Sequence, residues 1–92
     1  MRLIKKYIPP SPQALEKLKL SLGLSNKDMA DLADVSSSGQ FRKYLSNSDP
    51  RKMSAVTLFY IASQLCLTPE QIDTVLNRMT EIGAEIDTAR PE

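Results

Sequence analysis

Signals that start and stop helices recur along this chain so often that only a bundle of short helices can satisfy them. Ser11–Pro12, Gly23, Ser25, the serine run at 36–38, the polar turn "SNSDP" at 46–50, Ser54 and Thr68–Pro69 divide it. Ser and Thr oxygens accept hydrogen bonds from the free N–H groups of a first helical turn. Proline fits the first helical position, and glycine suits the residue just past the last. Between these marks the apolar residues return every three or four positions, the period of a helix with one buried face.

The spacing predicts a first helix from Ser11–Pro12 to near Gly23, with Leu15, Leu18 and Leu22 on one face. A second begins at Ser25, with Asp28 three residues on as a capping-box-like pair, and buries Met29, Leu32 and Ala33. It ends near Asp34, because Asp tolerates the left-handed backbone of a tight turn, and Val35 plugs the core from that turn. A third starts at one of Ser36, Ser37 and Ser38 and runs to about Ser46. Its apolar stripe is Phe41, Tyr44 and Leu45, so Gln40, Arg42 and Lys43 point away from the core. The fourth, capped by Ser54, carries Leu58, Ile61, Ala62 and Leu65 at core spacing. The fifth has Thr68 as N-cap, Pro69 at its first position and Gln71 to complete a capping box. Along it Val75, Leu76, Met79, Ile82 and Ile86 form a stripe that either finishes the monomer core or meets a second copy, with Met79, Ile82 and Ile86 as the dimer contact. Ahead of all this, "MRLIKKYI" is extended and basic, and "PPSP" stops it; it is either a working arm or a frayed terminus.

At 92 residues the chain has room for one domain. It contains no histidine and a single cysteine, Cys66, read here as a small buried hydrophobe. Those counts exclude a disulfide framework, a zinc site and every His-dependent catalytic arrangement, so neither an enzyme nor a cofactor is expected. No apolar run approaches the roughly 20 residues of a membrane span, and the first ten residues lack the apolar stretch of a signal peptide. The expectation is a cytoplasmic protein.

The net charge of +1 conceals a division. Residues 1–52 hold ten Lys and Arg against five acids, an excess of +5, while residues 53–92 hold two against six, a balance of −4. A basic first half is the electrostatic footprint expected of a partner rich in phosphate. Two short helices joined by a tight turn, the second turning polar and basic groups outward, have the dimensions to seat a helix in the major groove of DNA.

The stretch "GLSNKDMADLADVSSSG" resembles the helix-turn-helix of the lambda-repressor-like family, the Cro and phage repressor type. It has the Leu-Ser opening, the apolar-Ala pair at Met29 and Ala30, and Val35–Ser36 after the turn. "LFYIASQLCLTPEQI" is similar to the family's fourth helix and the start of its fifth, so the likeness runs loosely from Leu15 to Ile72. The resemblance implies an all-α, compact five-helix domain with a basic N-terminal arm: residues 1–10 as the arm, 11–79 as the DNA-binding domain and 80–92 as a helical extension or tail. It places Ser37 and Ser38 at base-reading positions, and Asn26 and Asn47 at backbone-contacting ones.

Helical geometry adds Gln40, Arg42 and Lys43 to the reading face; Lys27, together with Arg51 and Lys52 on the loop before the fourth helix, is expected to contact phosphates. The family usually has glycine where Asp34 stands and glutamine where Asn26 and the serines stand, and the chain is one residue longer between Gly39 and Phe41. The expected function is sequence-specific binding of double-stranded DNA as a repressor-like homodimer. The alternative is a protein-interaction module, such as an antitoxin or adaptor, on a similar fold.

Overall fold

Every helix begins where a hydroxyl side chain stands in for a missing backbone acceptor. In the computed structural model, which describes residues 2–87, the order is α1 (Pro12–Leu22), α2 (Asn26–Ala33), α3 (Ser38–Leu45), α4 (Ala55–Cys66) and α5 (Pro69–Ile82). No strand occurs among the described residues. Ser11 Oγ accepts from the Ala14 N–H at 3.1 Å, Ser25 Oγ from Asp28 at 3.1 Å and Ser54 Oγ from Thr57 at 3.1 Å. Of the three serines that could have opened α3, Ser37 is the cap, accepting from the Gln40 N–H at 3.2 Å. At α5 the bonds run both ways: Thr68 Oγ1 accepts from the Gln71 N–H, and Gln71 Oε1 accepts from the Thr68 N–H at 2.8 Å. Each such cap is worth about 1 kcal/mol.

The chain divides between Ala62 and Ser63 into two units. In the first unit, α2 and α1 both pack on α3. Its core consists of Leu15, Met29, Ala30, Ala33, Phe41, Tyr44, Met53 and Ile61, ringed by half-buried residues such as Leu18, Leu32, Val35 and Leu58. Ala30 and Ala33 are small enough to let α3 lie close to α2. The Phe41 and Tyr44 rings meet edge to face, 5.9 Å between centroids. Met53 comes from the loop before α4, yet its side chain is wholly buried. Unbranched and flexible, it fills a gap that no helix periodicity announces.

The second unit holds the end of α4 and all of α5. Leu58 and Ile61 pack as their spacing predicts, but Ala62 is exposed and Leu65, in the second unit, is 45% exposed. Cys66 is also exposed, contrary to its reading as a buried hydrophobe. At about 100° per residue it lies some 140° around α4 from Ile61, so the face that buries Ile61 turns Cys66 outward. α5 ends at Ile82, where Gly83 takes φ 128° and its N–H bonds back to Thr80 O. Ile86 therefore stands past the helix, and the three-and-four repeat belongs to α5 only as far as Ile82. The last residues of the expected 80–92 extension lie outside the described residues. No described helix is long and apolar enough to cross a membrane.

Candidate nucleic-acid interface

The link between α2 and α3 is set by one backbone angle. Asp34 adopts φ 57°, ψ 43°, the left-handed region, and its N–H and that of Val35 return to Asp31 O and Ala30 O at 3.2 and 3.0 Å. The turn thereby satisfies the last carbonyls of α2 and sends the chain into α3 within four residues. Phe41 and Tyr44 then clamp α3 to the core, and what remains of its surface is fixed by geometry.

That remaining surface carries most of the residues expected to read DNA. Arg42 and Lys43 are exposed; Ser38 and Gln40 are half-buried. Lys43 Nζ donates to Gln40 Oε1 at 3.4 Å, so these two side chains lie together on one side. The Ser37 oxygen is engaged by the cap, but its hydroxyl hydrogen is not used there. Ser37 Oγ and Arg42 Nη2 both approach Gly39: a Cβ built on that glycine would sit 3.7 and 3.8 Å from them. Ser37, Gln40, Arg42 and Lys43 are thus gathered around the first two turns of α3.

The residues expected at the DNA backbone are more dispersed. Lys27, exposed, and Asn26, half-buried, open α2. Asn26 Oδ1 is buried with no hydrogen-bond partner, an unsatisfied amide oxygen at the start of that helix. Asn47 turns toward α1, accepting from Gln13 Nε2 at 3.4 Å. It lines a shallow groove with Pro12, Gln13, Lys17 and Leu45, at the far end of α3 from Ser37.

Arg51 is held more firmly than a loop cation need be. Its N–H donates to the Lys43 carbonyl at 2.9 Å, and its guanidinium lies 5.7 Å from the centre of the Tyr44 ring. Lys52, next to it, is exposed.

One connection could not be read from the chain. The Tyr7 hydroxyl donates to the Met53 carbonyl at 2.7 Å, across 46 residues. Burial raises the pKa of Tyr7 above 10.0, because a phenolate is poorly solvated there. This bond ties the basic amino-terminal segment down beside the Arg51–Lys52 loop, and Ile8, Pro9 and Pro10 share a groove with Pro50, Arg51 and Lys52. A single tyrosine in an extended segment gives no periodic signal, which is why the contact escapes a reading by spacing.

The whole excess of positive charge lies in the first unit, since the stretch from Met53 to Ala62 carries no ionisable residue except Tyr60. The expected dimer contacts lie in the second: Met79 and Ile82 are 44% and 75% exposed on α5, and Ile86 is half-buried beyond it. Among the described residues, no three His, Cys, Asp or Glu side chains cluster so that they could hold a metal ion. No protein-family model matches the chain, and no curated protein or solved structure matches it.

Proposed function

We propose that the protein binds double-stranded DNA in a sequence-specific manner through α3, as a repressor-like transcriptional regulator of the helix-turn-helix, lambda-repressor-like kind, acting in the cytoplasm as a homodimer. The observation that carries this reading is the two-sided build of α3. Its inner side is locked by Phe41 and Tyr44, while its outer side presents Ser37, Gln40, Arg42 and Lys43 in a unit with an excess charge of +5. A helix so fixed enters the major groove as a rigid body, and Ser, Gln, Arg and Lys are the side chains that hydrogen-bond to base edges there.

Arg51, Lys52, Lys27 and Asn26 supply contacts to phosphates, which hold the register without specifying sequence. A helix of eight residues touches only a few base pairs, so two copies on half-sites about one helical turn apart supply the remaining affinity. Val75, Met79 and Ile82, exposed at helical spacing on α5, are the proposed contact between copies.

The same exposed stripe favours a second reading, in which α5 docks a different protein and the chain is an interaction module. The two readings separate by selection from a random pool of duplex DNA at two salt concentrations, with wild type and the Arg42→Ala/Lys43→Ala double variant. The DNA reading predicts an enriched palindromic sequence, affinity that falls steeply with salt, and loss of binding in the double variant with its thermal midpoint unchanged. Equal binding by wild type and variant, or no enriched sequence, sinks it and leaves the interaction module.

A further inference from the structure

Gly39 occupies the second position of α3, where the fold gives no reason for a glycine. Its φ is not positive, since among the described glycines only Gly23 and Gly83 have positive φ. A Cβ there would meet nothing nearer than Ser37 Oγ at 3.7 Å and Arg42 Nη2 at 3.8 Å, both ordinary contact distances. Within a helix, glycine is less favourable than alanine, because it loses more backbone freedom on folding. The first unit would be no worse, and by this measure better, with a side chain at 39.

The position of Gly39 on the helix suggests what the missing side chain is for. Phe41, Tyr44 and Leu45 define the inner side of α3. At about 100° per residue, Gly39 and Lys43 fall almost diametrically opposite the middle of that stripe, as an i, i+4 pair along the outermost ridge. Along that ridge Gly39 offers backbone without a side chain, half-buried in the free protein beside the Ser37 and Arg42 side chains, and Lys43 stands exposed one turn later. Ser37 and Arg42 flank this backbone, with a hydroxyl on one side and a guanidinium on the other.

We propose that Gly39 is the point of closest approach between α3 and the floor of the DNA major groove: the bound base pairs, rather than the fold, exclude a side chain there. The inference rests on the DNA-binding reading and deepens it. With no Cβ at 39, the helix backbone sits against the base edges and brings Ser37 and Arg42 within reach of the pairs on either side. A side chain at 39 lifts this end of α3 off the bases while leaving the phosphate contacts of Arg51 and Lys52 in place. Gly39 is thus a specificity-determining position that makes no hydrogen bond through a side chain of its own.

The test uses the full chain with Gly39→Ala and Gly39→Gln. For each, the thermal midpoint is measured, together with affinity for the sequence selected by wild type and for unrelated duplex of equal length. Expected are midpoints equal to or above wild type, a loss of roughly ten- to hundredfold on the selected sequence, the scale of one spoiled base-pair contact, and little change on unrelated duplex. The glutamine variant should lose more than the alanine variant. Undiminished affinity for the selected sequence in both variants overturns the proposal while the DNA-binding reading stands. Midpoints lowered in step with affinity overturn it as well, since the glycine would then serve the fold. If wild type selects no sequence at all, the DNA-binding reading fails and the proposal falls with it.

Discussion

α3 and α5 show how little a helix's own sequence says about what it buries. α5 has the better local design: fourteen residues, proline at its first position, a reciprocal capping box and an apolar stripe at spacings of three and four. α3 has eight residues, a glycine in its first turn and one capping bond. Yet Phe41 and Tyr44 of α3 are in the core, whereas no residue of α5 is buried. Capping and periodicity decide that a helix forms, and the volume available against its neighbours decides which side chains leave water. The charges divide at the same place, with the positive excess in the unit that has a core and the negative balance in the other.

The contrast has a direct energetic test. Phe41→Ala removes a fully buried ring from a well-packed site and should cost about 3–5 kcal/mol, enough to unfold much of a small domain. Ile82→Ala should change the stability of the monomer by less than about 0.5 kcal/mol. Urea titration with helicity as the signal measures both. A cost at Ile82 that grows with protein concentration would locate the stripe in an interface between copies and so sharpen the comparison. A large cost independent of concentration would break it.

Backbone strain comes next in size. Asp34→Val places a β-branched residue at φ 57° and should destabilise the protein by about 1–2 kcal/mol. The glycine replacement should be tolerated. If the proposed DNA-binding reading holds, the valine variant should also lose DNA affinity in proportion to its fraction unfolded, because Asp34 fixes the entry into α3. Equal stability of the valine and wild-type proteins would mean that the turn does not hold its left-handed geometry in solution.

The helix starts at Ser11, Ser25, Ser54 and Thr68 and the turn at Asp34 were legible because each depends on residues within four positions of one another. So was the inward face of α3, where Phe41, Tyr44 and Leu45 repeat at helical spacing. Other features, like the Tyr7 tether, were not legible, for physical reasons that differ. Ser36, Ser37 and Ser38 are chemically identical, so only the packing of Phe41 selects Ser37 as the cap. Met53 enters the core from a loop, where no periodicity exists to mark it. Leu65 and Cys66 continue the composition of α4 beyond its buried residue Ile61, and hydropathy does not register where burial stops along a helix. The reading residues of α3 could be assigned to a face of the helix, while Gly39 has no side chain for periodicity to classify.

Capping offers a smaller test of the same contrast. Ser25→Ala should cost the first unit about 1 kcal/mol, and Thr68→Ala a similar amount, because each removes one accepted bond at a helix start. The two should differ in what they unfold. Loss at Ser25 is shared by the whole packed unit and appears as a lowered cooperative midpoint. Loss at Thr68 falls on a helix with no buried residue and appears as fraying of α5, seen as faster amide exchange along it with little change in the main transition. Equal shifts of one cooperative midpoint would show that the two units melt as one.

An effect of the same size as a lost cap concerns the tether of the amino-terminal segment. Tyr7→Phe keeps the ring but removes the bond to Met53 O, and should cost about 1 kcal/mol at neutral pH. The sign of its pH dependence follows from the raised pKa. Folding disfavours the phenolate, so the folded state holds the proton at pH values where the unfolded chain, titrating near 10.0, has begun to lose it. The stabilisation is therefore complete below pH 10 and declines as pH climbs through the folded pKa, where the group can no longer donate to the Met53 carbonyl. The phenylalanine variant lacks this decline. Urea midpoints of the two proteins should accordingly be furthest apart near neutrality and converge above about pH 10. Parallel curves would mean that the Tyr7 hydroxyl stays hydrated, and that the basic segment beside Arg51 and Lys52 is as loosely held as the exposed side chains of α5.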